Sequence, residues 1–253
     1  MMYEAEREQI KPLSLGDGKN MVTQLLLLNI TVYILLFFTE IIYGIEGNPP
    51  ARFHHDVLSH VLLPASLTQL MNNPWTIFTS MFTHNSFWTI TSNMIWLACF
   101  GTMLQNHAGR ERILPLYLLS GLCGVVCYLI GIQLIPSFQG IQSYGTMTGA
   151  SASIMALAIG ATVVAPQYRL LPNLPIPFWV ITTIFLIVNI VTHVFTSHDM
   201  TIIPALVGGG LTGFFYMQQW KQGKDWGAGF NKLLFRTTHL FHPKEQVKLR
   251  VIK

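Results

Sequence analysis

Charge is what this chain of 253 residues has least of: only 10% of its residues are Asp, Glu, Lys or Arg, against about 25% in soluble domains. With 51% hydrophobic residues beside so few charges, a water-covered globule is excluded and a lipid-embedded chain is expected. Cysteine is scarce too. Cys99, Cys123 and Cys127 are the three present; all lie in apolar stretches and no C-x-x-C pair occurs, which excludes a disulfide framework or a dithiol redox motif. They read as small apolar filler. His54, His55 and His60 have no carboxylate or cysteine at ligand spacing, so neither a metal nor a cofactor is expected. Residues 1–20 are polar and mixed in sign, and the apolar run that follows is too long for the core of a cleavable leader. The net charge of +4 has no nucleic-acid motif behind it, so nucleic acid is not an expected partner.

What is present is a series of apolar runs near the length that crosses a hydrocarbon layer of roughly 30 Å. They fall at 21–43, 87–104, 113–135, 149–165, 178–195 and 201–220. The expectation is an all-α integral membrane protein: a tail at 1–20, a six-helix membrane domain at 21–220 and a basic tail at 221–253. The long stretch 46–73 reads as an irregular segment lying in the interface. No strand is predicted, and 136–148 reads as a loop. With six spans both termini share a side, and every Lys and Arg except Arg52 falls on it; the positive-inside rule makes that side cytoplasmic. The tail carries eight basic residues from Lys221 onward and directly follows the last span, which suits an anionic inner leaflet. Residues 227–253 fit either an amphipathic helix on that leaflet or a disordered basic extension.

Polar groups at membrane depth are costly unless they have partners or a task. Three groups qualify. Gly149-Ala150-Ser151-Ala152-Ser153 is half of a G-x-S-x-G nucleophile elbow, but its fifth residue is serine and it lacks the preceding strand; close helix packing through small residues is the competing reading. Thr89 and Asn93 are four apart and share a helix face. The amide of Asn93 either donates to a developing oxyanion or makes an interhelical hydrogen bond. Gly208, Gly209, Gly210 and Gly213 form a flat face on which another small-residue helix, such as the fourth, would pack backbone to backbone.

The ordered set of the segment 74–84 ending in His84, then Asn93, then Gly149-Ala150-Ser151, then the glycine-rich last span resembles the rhomboid family of intramembrane serine proteases over nearly the whole chain. The resemblance implies a six-helix core with a water-filled cavity. It implies Ser151 at the nucleophile position, Asn93 at an oxyanion position and His84 as the histidine before span two. It also exposes departures. Thr89 stands where a second oxyanion histidine is expected, Ile203 where the base histidine is expected, Gln105 where an acidic residue is expected and Thr76 where an arginine is common. Isoleucine accepts no proton, and a serine without a base is a poor nucleophile. His198 and His193 are the substitutes within reach, provided that the loop between spans five and six folds into the cavity. Three readings stand: a pseudoprotease that binds transmembrane segments of client or partner proteins without cutting them; an active intramembrane serine endopeptidase with a non-standard base; and a structural subunit of a membrane complex. The compact form resembles bacterial members, so the bacterial plasma membrane is the expected location.

Overall fold

The first helix begins where Asn20 caps it, its side-chain oxygen accepting from the N–H groups of Val22 (3.0 Å) and Thr23 (3.2 Å). In this computed structural model residues 20–141, 146–169, 176–196 and 199–232 are described. The helices are α1 (Met21–Ile45), α2 (Pro50–Asp56), α3 (Leu67–Asn72), α4 (Thr76–Thr79), α5 (Phe87–Ala108), α6 (Ile113–Leu134), α7 (Ser151–Val164), α8 (Phe178–Val191) and α9 (Ile203–Lys221). Among the described residues four helices are long and apolar enough to cross a membrane: α1, α5, α6 with the turn before it, and α9 with the turn before it. α7 and α8 are apolar but shorter. Fourteen residues reach only about 21 Å at 1.5 Å per residue, short of the roughly 30 Å hydrocarbon layer.

Small residues decide how the central helices meet. A Cβ on Gly209 would lie 2.1 Å from the carbonyl oxygen of Ala152, and one on Gly213 would lie 2.3 Å from that of Ala156. One turn further, a Cβ on Gly160 would meet Met217 at 2.9 Å. α7 and α9 therefore run parallel with backbones in contact, as the flat glycine face predicts. The neighbouring Gly208 faces α6 instead, against Cys127, and Gly124 of α6 faces Ala152 and Ala205. α8 joins α5 through rings, Phe185 tilted against Trp96 (4.9 Å) and edge-on to Phe100 (5.0 Å) with Phe178 edge-on to Phe100 (5.7 Å), and joins α7 through the Thr162–Thr182 hydroxyl pair (2.6 Å).

Two expectations need correction. The stretch 46–73 is not irregular: it carries α2, a 3₁₀ turn and α3, and its residues Leu63–Pro64 form a strand, β1. β1 pairs antiparallel with β2 (Thr146–Met147), Leu63 opposite Met147, so a short strand does precede Ser151. Pro64 is tolerated there because a two-residue edge strand asks little of its missing N–H. The second correction concerns Gln105. Its side-chain oxygen accepts from Met21 N (3.0 Å) and Val22 N (3.3 Å), and its amide donates to Asn20 (3.0 Å). A neutral acceptor thus serves the first turn of α1, and this departure from the family pattern is a working helix cap. At the same end of the bundle, Arg112 lies over the Trp220 ring (4.9 Å) and 3.6 Å from Asp225. Asn231 donates to the carbonyl of Glu111 (2.9 Å), so the first residues of the basic tail fold back on the bundle; 233–253 lie outside the described residues.

Candidate functional site

The turn that delivers Ser151 is built around Gly149, whose φ of +82° is a conformation that favours glycine. Its N–H donates to the carbonyl of Ser80 (2.8 Å), which fastens the turn to the segment leading into α5. A side chain at Gly149 would press on Asn93 Nδ2 and on the His84 ring, each 3.3 Å away. The glycine therefore lets the loop backbone settle directly on that pair. Two residues later Ser151 opens α7, 9% exposed, with no hydrogen bond from its hydroxyl to any described residue. Ser153, the fifth residue of the elbow pattern, is structural: its hydroxyl donates to the carbonyl of Tyr117 (2.7 Å).

Asn93 Nδ2 donates to His84 Nε2 (3.1 Å). The other ring nitrogen of His84 faces the carbonyl of Phe82 (3.3 Å), and a carbonyl only accepts, so the ring proton belongs on Nδ1. His84 is 1% exposed, and this burial pushes its pKa down to about 4 against the weaker opposing pull of the Phe82 carbonyl. It is a neutral acceptor that fixes the Asn93 amide, leaving the second hydrogen of Nδ2 for the space beyond.

That space is a cavity of about 390 Å³ in which Ser151, Asn93 and Thr89 come together. Ile203 is not among its walls; Ile202 is. Helical spacing explains why. Positions 202, 206, 209 and 213 share the face that Gly209 and Gly213 press on α7, and 203 lies about 100° away from it. The place one turn outward from Gly209 on that face is Leu206, 5% exposed. Leu206 is not among the described walls either, and both it and Ile203 are apolar. From Ile202 to Phe215 no residue of this helix is titratable.

The far wall holds what sequence reading did not assemble. A five-residue π-helical turn, Thr192–Thr196, extends α8 and brings His193 into the lining together with Asn189, Tyr128, Asp199 and Thr201. Wide turns of this kind recur at functional sites. His193 Nδ1 and the Tyr128 hydroxyl are buried without hydrogen-bond partners. Asp199 was readable as a cap before an apolar run, and it does cap: Oδ1 accepts from Thr201 N (3.0 Å) and from the Thr201 hydroxyl (2.5 Å). Nothing in the sequence signals that Tyr128, within the third apolar run, faces the same space. His198 lies outside the described residues. No group of three or more His, Cys, Asp or Glu able to hold a metal ion occurs among the described residues.

The cavity combines a free serine hydroxyl, a pre-set amide and a lining rich in hydroxyls, which suits hydrogen bonding to a peptide backbone. The family model described as the Rhomboid domain matches residues 71–219. This span takes in the Asn93–His84 pair, the Ser151 turn, the α8 extension and the glycine face of α9. No curated protein matches the chain.

Proposed function

The chain belongs to the rhomboid family, and from that premise we propose that it is a pseudoprotease: a membrane protein that receives transmembrane segments of other proteins in its cavity and does not cut them. The observation that supports the reading is the apolar outer half of α9. A serine nucleophile needs a proton acceptor within hydrogen-bond reach, and the helix face beside Ser151 offers Ile202, Leu206 and two glycines. Client segments reach the cavity past α8, of which only Phe178, Thr182 and Phe185 are buried; such a sparsely held helix is a natural lateral gate. Asn93 and Ser151 then hydrogen-bond client backbone rather than stabilise an oxyanion. Both termini are cytoplasmic on the Lys and Arg distribution, with the basic tail on the anionic leaflet.

Labelling with a fluorophosphonate serine probe tests this. The wild type stays unlabelled, and Leu206→His gains labelling at Ser151 while Ile203→His does not. Labelling of the wild type that is lost in Ser151→Ala refutes the reading. A second reading, hydrolysis with a relocated base, is favoured by one observation: His193 lines the same cavity as Ser151. It requires wild-type labelling that disappears in His193→Ala.

A further inference from the structure

The pole of the cavity opposite Asn93 holds more polarity than helix capping uses. Tyr128 is 1% exposed and lines the cavity, yet its hydroxyl has no hydrogen-bond partner. Thr201, whose hydroxyl faces it, donates to Asp199 instead (2.5 Å). The Nδ1 atom of His193 is unpartnered as well. A buried polar group without a partner is unfavourable, so two of them among the residues around Asp199 point to a ligand. The bland account makes Asp199 a cap and Tyr128 a packing ring. It accounts for one oxygen of the carboxylate and for neither orphaned atom.

Charge narrows the class of ligand. Asp199 is the only carboxylate among the described residues of the lining, and no Lys or Arg is among them. Nor does the sequence supply one nearby: Arg52 is the sole Lys or Arg in 20–109, and none occurs in 113–168 or 170–220. Arg52 is engaged, with Asp56 at 3.3 Å and Asn48 at 2.8 Å. An apolar occupant would leave Tyr128 and His193 unpaired, and an anion would meet an uncompensated carboxylate. A cation gains from Asp199, and the hydroxyls and amides of the lining offer it further acceptors.

We propose that this wall, Asp199 with Tyr128 and His193, is a cation-accepting site, and that the segments the protein receives carry an ammonium or guanidinium group at that level. The site itself stands on the cavity; its assignment to client segments rests on the binding function proposed above. Basic side chains are uncommon on the outer side of membrane segments, so the site discriminates sharply among clients.

The test separates the two layers. In the full chain in detergent, with Cys99, Cys123 and Cys127 changed to Ala, Ser151→Cys places a reporter thiol in the cavity. Its reaction rates with ethylammonium and ethylsulfonate methanethiosulfonates are measured at pH 8, and their ratio is normalised to that of free 2-mercaptoethanol. The expected normalised ratio is about tenfold in favour of the cation, the size of effect one nearby carboxylate produces in a partly screened site. Asp199→Asn, which keeps the cap because Asn and Asp cap equally well, brings it to within about twofold of unity. A ratio at or below unity, or one indifferent to Asp199→Asn, overturns the site. The second arm photo-crosslinks single-span peptides bearing Leu, Lys or Glu in the outer third of the segment to the chain in nanodiscs. Capture of the Lys peptide about tenfold above the others, lost in Asp199→Asn, supports the client assignment. Equal capture of all three overturns the cation preference and leaves segment binding standing. A charge-selective thiol with no peptide captured keeps the site and removes the client reading.

Discussion

Three consecutive glycines in α9 should give three different answers to the same substitution. At Gly209 an added Cβ meets the backbone of Ala152, with the oxygen at 2.1 Å and Cα at 3.0 Å. Ordinary contact begins near 3.4 Å, so more than an ångström of separation must open between α7 and α9, and a helix backbone has no rotamer by which to yield. Overpacking of this kind costs about 1–3 kcal/mol, and the contact lies on backbone, so Gly209→Ala belongs at the upper end. At Gly208 the Cβ meets the Cys127 sulfur at 2.5 Å, a side-chain end that can turn aside, and the Cys123 carbonyl oxygen at 3.1 Å, which must give by a few tenths of an ångström, so the cost is about 1–2 kcal/mol. At Gly210 the nearest atoms are Met155 Cγ at 3.5 Å and Ile159 Cγ1 at 3.7 Å, both in ordinary contact. There alanine gains about 0.5–1 kcal/mol from its lower conformational entropy in the unfolded chain. Thermal unfolding in one detergent, followed by intrinsic fluorescence, should rank the variants Gly210→Ala above wild type, then Gly208→Ala, then Gly209→Ala. Wild-type stability for Gly209→Ala, or a loss at Gly210→Ala as large as at Gly209→Ala, refutes the register of the two helices.

Two further outcomes follow from the pairing around Asn93 and from the cap on α1. His84 has its pKa lowered by burial to about 4, below the roughly 6.5 of an unfolded imidazole. Between these values the unfolded chain binds a proton that the folded chain does not, so stability is full above about pH 6.5 and falls as pH drops toward 4, by about 3 kcal/mol in all. His84→Gln should flatten that part of the pH–stability curve; an unchanged slope in the variant removes His84 as its source. Gln105→Ala should cost about 1 kcal/mol by stranding the first N–H groups of α1, whereas Gln105→Glu keeps the acceptor for Met21 and Val22 but loses the donor to Asn20, and should lose less than the alanine variant. Detergent melting curves of the two variants check this, and equal losses in both would refute the capping role.

How much of this was legible in the sequence depended on whether a property belongs to one helix or to a pair. Apolar run length is local, so α1, α5, α6 and α9 were readable from composition. The shared face of Gly209 and Gly213 was readable for the same reason, because spacing along a single helix fixes which side chains align. Register between helices is not local. Counting along the chain led to Ile203, but of residues 202, 203 and 206 only Ile202 lines the cavity. Gln105 looked like a lost polar group because its partner, the start of α1, is more than eighty residues away. His193 reached the cavity through a π-helical turn that no apolar pattern announces, and β1–β2 is too short for alternation to reveal.

The first helix is held most firmly at one end. Its buried residues are Val22, Leu25 and Asn29, with Asn29 donating to Leu25 O (2.8 Å) and toward the Tyr117 hydroxyl (3.4 Å). The sixteen residues 30–45 that follow, about 24 Å of helix, have none that is buried. Mechanically the helix is clamped at the Gln105 end and held more lightly at the other, where Tyr43 meets Phe53 of α2 (5.7 Å); between them lipid covers much of its surface. A helix with so little packing along its middle can adjust its tilt to bilayer thickness more readily than α5, α6 or α9, whose buried residues run along their length.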